Sequence, residues 1–503
     1  MNVQTEINKP QTVADARKIV SLRTQAFIGG KFVDSLSGKT LSSSSPIDGS
    51  HLANVAACDH RDVDRAVSTA RAAFEAGHWR NASPNDRRKT LLKFADTLEA
   101  NAEELALLET LDLGKPIANT TSVDIPLTIE TVRYYAEAIN KVYDELGPSP
   151  SNAVSMIVRE PVGVVAAVTP WNFPLLMAAW KFAPALATGN SVIMKPAEQT
   201  SLSLLRVAEL AAEAGIPAGV FNVLPGDGPS AGKPLALHMD VDAIVFTGST
   251  AVGKLIMGYA AQSNMKRVGL ECGGKSPQIV MADCDNLGAA ANAAAWGVFY
   301  DQGQVCTAGT RLLVQKDIKD RFLEKVAGIA TGLKPGNPLD PKTEFGSLVD
   351  ETQLNTVLGY IEKGSAEGAH LRAGGKRAMT ESGGFYVQPT LFDGVTNEMT
   401  IAREEIFGPV ISAIEFETLD QALSIANDSI YGLAAGIWTS NVNTAHIAGR
   451  ALRAGNVWIN CWDGSDITTP FGGFKQSGFG RDRSLHAFDK YTELKTIWLQ
   501  LSN

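Results

Sequence analysis

The sequence predicts an α/β protein with a Rossmann-type parallel-sheet domain, a second α/β domain and a β-arm. Three observations carry this. At 503 residues the chain is too long for one ordinary core, so more than one domain is expected. Beyond residue 160, short β-branched runs and helical stretches alternate at intervals of roughly 25 residues, the rhythm of strand–helix–strand units. That rhythm starts again near Gln278-Ile279-Val280, which implies a second sheet.

The elements follow in order. Residues 26–33 read as a hairpin with Gly29-Gly30 at its turn. Residues 62–76 place Val63, Ala66, Val67, Ala70, Ala73 and Phe74 at helical spacing behind an acidic first turn. Ser83-Pro84 opens a helix, since proline suits the first turn. A third helix, 102–113, stops at Gly114-Lys115-Pro116, and a fourth covers 123–143 with Pro126 in its first turn. Residues 154–159 alternate like an edge strand. Strands at 164–168, 191–195, 220–224 and 243–247 then alternate with helices at 175–186, 203–214 and 250–261. The second block holds helices at 287–300 and 318–329, and strands at 385–391 and 410–416. The β-rich tail, 491–501, is expected to pair with another element or subunit. The expected division is a Rossmann-type cofactor domain (1–143 and 162–273), an α/β catalytic domain (274–473), and an oligomerisation arm with the C-terminal tail (144–161 and 474–503).

Composition excludes several classes. The chain is 45% hydrophobic and 20% charged, with a net charge of −9 and no long Lys/Arg run. Binding to nucleic acid or an anionic membrane is therefore not expected. The first 25 residues lack the apolar stretch of a signal peptide, and the richest apolar run, 162–168, is far short of a membrane span. The five cysteines, at 58, 272, 284, 306 and 461, show no CxxC spacing. An odd count of that kind suggests reduced thiols and a cytoplasmic protein. The seven histidines lack metal-ligand spacing, so no metal is expected.

Chemistry-bearing residues cluster in loops after strands. Phe246-Thr247-Gly248-Ser249-Thr250 joins a strand to a helix, where backbone N–H groups can face a pyrophosphate. The run Gly226-Asp227-Gly228 is spaced wrongly for a dinucleotide fingerprint, and its acid would repel phosphate. Lys195 and Glu198 follow a strand end; Glu198 could accept ribose hydroxyls and would disfavour a 2′-phosphate, which favours NAD over NADP. Either could equally be a surface pair. Cys306, in Gly303-Gln304-Val305-Cys306-Thr307-Ala308-Gly309, has the setting of a nucleophile, whereas Cys58, Cys272 and Cys284 read as small core residues. Glu271, beside Gly273-Gly274, could be a general base or an exposed loop acid. Asn172, in the proline-bracketed turn Pro170-Trp171-Asn172-Phe173-Pro174, could donate to an oxyanion or simply cap the turn.

Taken together, six stretches resemble the signature set of the NAD(P)-dependent aldehyde dehydrogenases. They are the Pro170–Pro174 turn, Phe246-Thr247-Gly248-Ser249-Thr250, Leu270-Glu271-x-Gly273-Gly274-Lys275, Gly303-Gln304-x-Cys306, Glu405-Ile406-Phe407-Gly408-Pro409 and Pro470-Phe471-Gly472-Gly473. They occur in the family's order, and the 306 − 271 = 35 residue separation also fits. Cys272 stands where leucine is more usual. The resemblance implies the aldehyde dehydrogenase-like fold and a homodimer or homotetramer. It further implies Cys306 as nucleophile, Asn172 with the Cys306 N–H as oxyanion donors, and Glu271 as the base for thioester hydrolysis. By the same resemblance Trp171, Lys195, Glu198, Gly248 and Ser249 hold the adenosine and pyrophosphate of NAD, and Glu405 and Phe407 the nicotinamide end; NADP remains possible.

Within the family the chain is most similar to the bacterial γ-glutamyl-γ-aminobutyraldehyde dehydrogenases of putrescine breakdown. Ser484-Leu485-His486-Ala487 and the Tyr491-Thr492-Glu493-Leu494-Lys495 segment carry that likeness. The expected substrate is an ω-amino or γ-glutamyl-aminobutyraldehyde. A guanidinobutyraldehyde, betaine aldehyde or broad-specificity enzyme is the alternative. Asp124 and Asp463 are candidate partners for a cationic tail, and Trp180 and Phe471 candidate channel walls; two solvated acids are the plainer reading of the former. Glu271 argues against a CoA-acylating or phosphorylating relative, and the intact Cys306–Glu271–Asn172 set against a non-enzymatic structural protein.

Overall fold

The computed structural model describes residues 10–502; the first nine residues of the polar N-terminal stretch lie outside them. Two sheets dominate. The first has eight strands, with a parallel core in the spatial order Phe221–Val223, Ser191–Lys195, Val164–Val168, Ala243–Thr247, Arg267–Glu271. The expected hairpin, Ala26–Ile28 with Lys31–Val33, adds antiparallel to Phe221–Val223. Its two-residue turn works because Gly29 and Gly30 both take positive φ, 63° and 79°. The helices Pro174–Ala187, Leu202–Ala214 and Thr250–Gln262 connect successive parallel strands. Every residue of Pro174–Ala187 is buried, including Lys181. Phe182 joins the helix Pro84–Ala100 to the sheet through Phe94 (centroids 5.8 Å apart) and Phe221 (5.4 Å).

The helix starts follow their capping chemistry. Asp59 and Asp62 form a capping box, so the first long helix starts at His60, two residues before the periodicity suggested. Ser83 caps Pro84–Ala100 by accepting from the Asp86 N–H at 3.1 Å. The helix expected over 123–143 begins instead as a π-helical turn, Thr120–Asp124, and continues as Ile125–Ala138.

The second sheet has seven strands. His370–Ala373 is antiparallel at one edge, followed by Thr390–Asp393, Val410–Phe416, Arg311–Gln315, Pro277–Val280, Ala434–Trp438 and Asn456–Ile459, all parallel. The single strand expected over 385–391 is split into Tyr386–Val387 and Thr390–Asp393. Pro389 between them has no N–H to give a ladder.

A separate three-stranded sheet forms the arm. Thr492–Gln500 pairs with Ala153–Pro161, which also pairs with Glu145–Gly147. The stretch expected as an edge strand is therefore the middle one. The expected tail divides as well: Gly478–Phe479 pairs with Arg267–Glu271 in the first sheet, and only the terminal strand belongs to the arm.

Gly114 shows how the two halves meet. It ends Ala102–Leu113 in the left-handed region (φ 78°), and its carbonyl accepts from the Ser347 N–H at 3.2 Å. A Cβ there would lie 1.9 Å from Ser347 Oγ. Gly114→Ala should destabilise the fold by about 2 kcal/mol or more, from backbone strain plus the clash; a thermal midpoint equal to that of the parent protein would contradict this.

Candidate active site

In the first sheet, strand order reverses around Val164–Val168, which lies between Ser191–Lys195 and Ala243–Thr247. A crevice opens beyond the carboxyl ends of such strands. The structure brings the expected cofactor residues to that edge. Trp171 and Asn172 follow Val168, Lys195 ends its strand, Gly248 and Ser249 follow Thr247, and Glu271 ends Arg267–Glu271. Ser249 Oγ caps Thr250–Gln262, accepting from the Val252 N–H at 3.3 Å, so the helix N-terminus opens at the crevice. Lys195 is buried; its ammonium donates to the Pro196 carbonyl at 2.8 Å and lies 3.5 Å from the half-exposed Glu198 carboxylate. The loop at 226–232 folds on itself, with Asp227 Oδ1 accepting from the Ser230 N–H at 2.6 Å, yet Gly232 packs against the Lys195 side chain. It therefore borders the crevice more closely than its spacing implied.

The nicotinamide-end candidates come from the other half. Glu405 lies on the 271–274 loop, accepting from the Gly274 N–H at 3.0 Å. A Cβ on Gly273 would fall 1.8 Å from the Glu405 carboxylate, so only glycine permits this approach. Phe407 (φ 55°) meets Trp171 edge-on at 5.1 Å between centroids. Paired carboxylates for hydroxyls, helix N–H groups for phosphates and aromatic faces for a flat ring fit a dinucleotide.

Cys306 sits on a loop leading into Arg311–Gln315. The turn before it has three successive left-handed residues, Asp301 (φ 47°), Gln302 (φ 55°) and Gly303 (φ 75°). A Cβ on Gly303 would lie 2.2 Å from the Gly408 backbone, so the Cys306 loop and the Phe407 loop interlock there. Asn172 Nδ2 donates to the Gln304 carbonyl at 2.7 Å, two residues before the thiol. One of its two amide N–H groups is thus committed, and the other is left to donate.

Beneath this loop lies an ionic cluster that sequence spacing did not reveal. Lys115 is fully buried. Its ammonium donates to Asp124 Oδ2 (2.6 Å) and to the Asn172 carbonyl (2.9 Å), lies 3.4 Å from Asp301, and sits 3.5 Å from the Phe173 ring centroid. Burial pulls Lys115 down, but Asp124, Asp301 and Glu109 outweigh it and hold the ammonium charged. Burial raises Glu109 to about 8. Asp124 therefore does not face a substrate: it is spent on Lys115 and does not line the cleft, which corrects the expectation for that residue.

The cleft itself, about 1140 Å³ with its open mouth, exposes Cys306. Leu176, Met177, Trp180 and Phe471 form a buried inner wall, with Trp180 and Phe471 5.0 Å apart. Asp463 lies at the exposed rim with Asp466 and Glu130. The surrounding protein raises the Asp463 carboxyl to about 6, against the pull of Arg483. Glu130 and Arg483 were not anticipated; Glu130 lies on the exposed face of Ile125–Ala138, a stretch read only as a helix.

Glu271 is 3% exposed, and its Oε1 has no hydrogen-bond partner among the described residues. Burial first, then Asp482, raises it to about 8, while Lys181 and Lys490 pull it down. Those three form a buried Lys181–Asp482–Lys490 cluster. The signal for it was a lysine inside an otherwise apolar helix, Pro174–Ala187. The Cys306 thiol is raised well above its usual range by burial, then by Glu271, Glu405 and Asp463; the Thr307 N–H opposes this.

The central ion cluster can be tested directly. Lys115→Met should cost about 3–5 kcal/mol of stability by leaving buried acids without a counter-charge. The readout is the urea midpoint, and a midpoint within error of the parent protein would mean those acids are neutral in the fold.

Comparison with known proteins agrees with this geometry. Residues 32–497 match the model of the aldehyde dehydrogenase family. The NADP/NAD-dependent aldehyde dehydrogenase PuuC of Escherichia coli K12 is 50% identical over 482 residues, covering 96% of this chain and 97% of its own. The indole-3-acetaldehyde dehydrogenase AldA of P. syringae, in complex with NAD+ and IAA, is 57% identical with a TM-score of 0.96, covering 98% of this chain and all of its own. The γ-glutamyl-γ-aminobutyraldehyde dehydrogenase of Burkholderia cenocepacia J2315 is 56% identical with a TM-score of 0.95, over the same shares. The crevice, the thiol and the comparisons lead to one conclusion: this chain belongs to the aldehyde dehydrogenase family.

Proposed function

We propose that the protein oxidises an aldehyde with a polar ω-substituent, of the aminoaldehyde or γ-glutamylated kind met in polyamine breakdown, to its carboxylic acid. The observation that carries the proposal is Cys306, open to a cleft with an aromatic inner wall and a charged rim. Relatives named for aminoaldehyde and γ-glutamyl-aminobutyraldehyde oxidation support the substrate class. The aromatic wall and the indole-3-acetaldehyde relative favour a second reading, a broad range that includes aryl aldehydes.

In this proposal, the Cys306 sulfur adds to the aldehyde carbon, and its proton leaves to Glu271 or water. The free Asn172 N–H and the Cys306 backbone N–H stabilise the oxyanion. Lys115 keeps Asn172 in place by holding its carbonyl. NAD, or NADP, supplies the hydride acceptor when bound, held by Trp171, Lys195, Glu198, Gly248, Ser249, Glu405 and Phe407. A thioester remains on Cys306. Glu271 removes a proton from water, which hydrolyses the thioester to the acid and frees the thiol. Trp180, Phe471 and Asp463 border the aldehyde's tail.

Domain roles follow the same proposal: residues 1–143 and 162–273 for the cofactor, 274–473 for the thiol, and the arm for assembly as a homodimer or homotetramer. The arm supports this, since Leu494, Ile497, Trp498 and Leu499 leave it with exposed apolar side chains. Among the described residues no helix is long and apolar enough to cross a membrane, and a cytoplasmic location is proposed.

Two measurements test these readings. Glu271 with a pKa of about 8 acts as a base only once deprotonated, so turnover limited by hydrolysis should rise from pH 6 to about 8. Glu271→Gln should flatten that rise and accumulate acyl-enzyme, detectable by mass spectrometry; rapid hydrolysis in the variant would remove Glu271 from the mechanism. The folded state also keeps this proton between about 4.5 and 8 while the unfolded chain loses it, so stability falls as pH rises through that window. The variant should accordingly gain thermal stability over the parent at pH 9 but not at pH 5. For the arm, Trp498→Asp should shift the sedimentation coefficient toward that of a monomer, and an unshifted boundary would exclude this face from assembly.

A further inference from the structure

Among the described residues Arg483 is the one arginine on the cleft wall, and no lysine joins it there. It is 8% exposed. Among the described residues no carboxylate pairs with it: its guanidinium donates only to the Asp466 main-chain carbonyl and lies over the Trp180 ring, 5.7 Å from the centroid. The charges of Asp463, Asp466 and Glu130 act on it from nearby, yet none of them bonds to it, so a guanidinium largely withdrawn from water keeps most of its N–H donors uncommitted. Its backbone supports the same view. Arg483 and Ser484 are two successive left-handed residues, φ 62° and 51°. Strain of this kind persists where the surroundings fix it, and here they do: the Ser484 N–H donates to the Ile467 carbonyl at 2.7 Å, and the Tyr135 hydroxyl to the Ser484 carbonyl at 3.2 Å. The guanidinium is thereby held on the wall of the cleft that contains Cys306.

The charges around it matter. Glu130, Asp463 and Asp466 line the same mouth. A purely cationic tail would meet these acids but also a fixed Arg charge. A tail with both a carboxylate and an ammonium would meet a partner for each.

We infer that Arg483 is a specificity-determining residue that recognises a carboxylate at the distal end of the aldehyde. The acids beside it accept an accompanying ammonium, so an α-amino-acid-type end is the best match. The planar guanidinium pairs with a carboxylate through two parallel N–H···O bonds, which a lysine cannot reproduce. The inference rests on the aldehyde-oxidising reading and narrows it to the tail.

The test compares four aldehydes with NAD: butanal, 4-aminobutanal, succinic semialdehyde and N-(γ-glutamyl)-4-aminobutanal. Arg483→Gln should lower kcat/KM for at least one of the two carboxylate-bearing aldehydes by about 30-fold, while butanal changes by about twofold or less. It should leave 4-aminobutanal unharmed or improved, because a repelling charge has gone. Arg483→Lys should recover part of the carboxylate preference. A variant that lowers all four alike would show a purely structural role for the 483–484 turn and overturn the inference, as would one that leaves all four ratios unchanged. If the parent protein oxidises none of the four, the aldehyde-oxidising reading itself fails, a distinct result from activity on butanal without Arg483 dependence. A measurement on the parent protein alone guards against poor folding of the variants: glutarate should compete with butanal about tenfold more strongly than pentanoate does, and equal inhibition constants would overturn the inference.

Discussion

Much of the site hangs on one buried ammonium. Lys115 touches, at once, the Asn172 carbonyl, the Asp124 carboxylate, the Asp301 side chain and the Phe173 ring. Asn172 belongs to the turn after a cofactor-sheet strand; Asp301 belongs to the strained turn before Cys306. The two ends of the reaction centre, from two different sheets, are thus gripped by one side chain. The Asn172 amide to Gln304 hydrogen bond closes the same ring from the other side. A fixed charge with several partners has few alternative arrangements in a dry interior, which is the preorganisation that stabilising a developing oxyanion requires.

The electrostatics of the thiol follow from that architecture. Cys306 is surrounded by Glu271, Glu405 and Asp463, all of which oppose its ionisation. Glu271 and Glu405 are themselves raised, to about 8 and about 7, with burial the first cause for each. A protonated carboxyl beside a protonated thiol makes a quiet pair, poorly reactive toward stray electrophiles near neutral pH. Anything that brings positive charge into the crevice shifts this balance toward the thiolate, because it acts on groups packed where screening by water is weak.

The fold was largely legible in the sequence because its strands are short, apolar and spaced by helices whose starts carry visible caps. Where reading failed, the cause was local chemistry that periodicity does not register: the Asp59–Asp62 capping box, Pro389 dividing a strand, and the π-helical turn before Ile125. The site was legible to the extent that its groups lie in contiguous motifs. The cofactor-edge residues came together because strand ends converge at one sheet edge. What spacing could not supply was pairing across long separations. Asp124 read as an amine binder, since nothing in its neighbourhood marked Lys115 as its partner and the Asn172 turn as theirs. Lys181 and Asp482 lie 301 residues apart in sequence. Arg483 sat unnoticed immediately before a stretch, Ser484–Ala487, that carried only a subfamily likeness.

The short pairing of Gly478–Phe479 with Leu270 and Glu271 has a temporal consequence. The strand ending in the Glu271 carboxylate gains its last neighbour from chain synthesised 478 − 306 = 172 residues after the thiol, and the Cys272 N–H finds its acceptor in Ser477. At ribosomal speeds that interval is on the order of 10–30 s. Throughout it the nascent chain holds Cys306 while the Glu271 strand is bordered on one side only and the segment with Asp482 and Arg483 has yet to be made. The surroundings of the Glu271 carboxylate are therefore completed only once residues 477–490 are in place, and a translation product truncated before them would carry the Cys306 thiol without that setting.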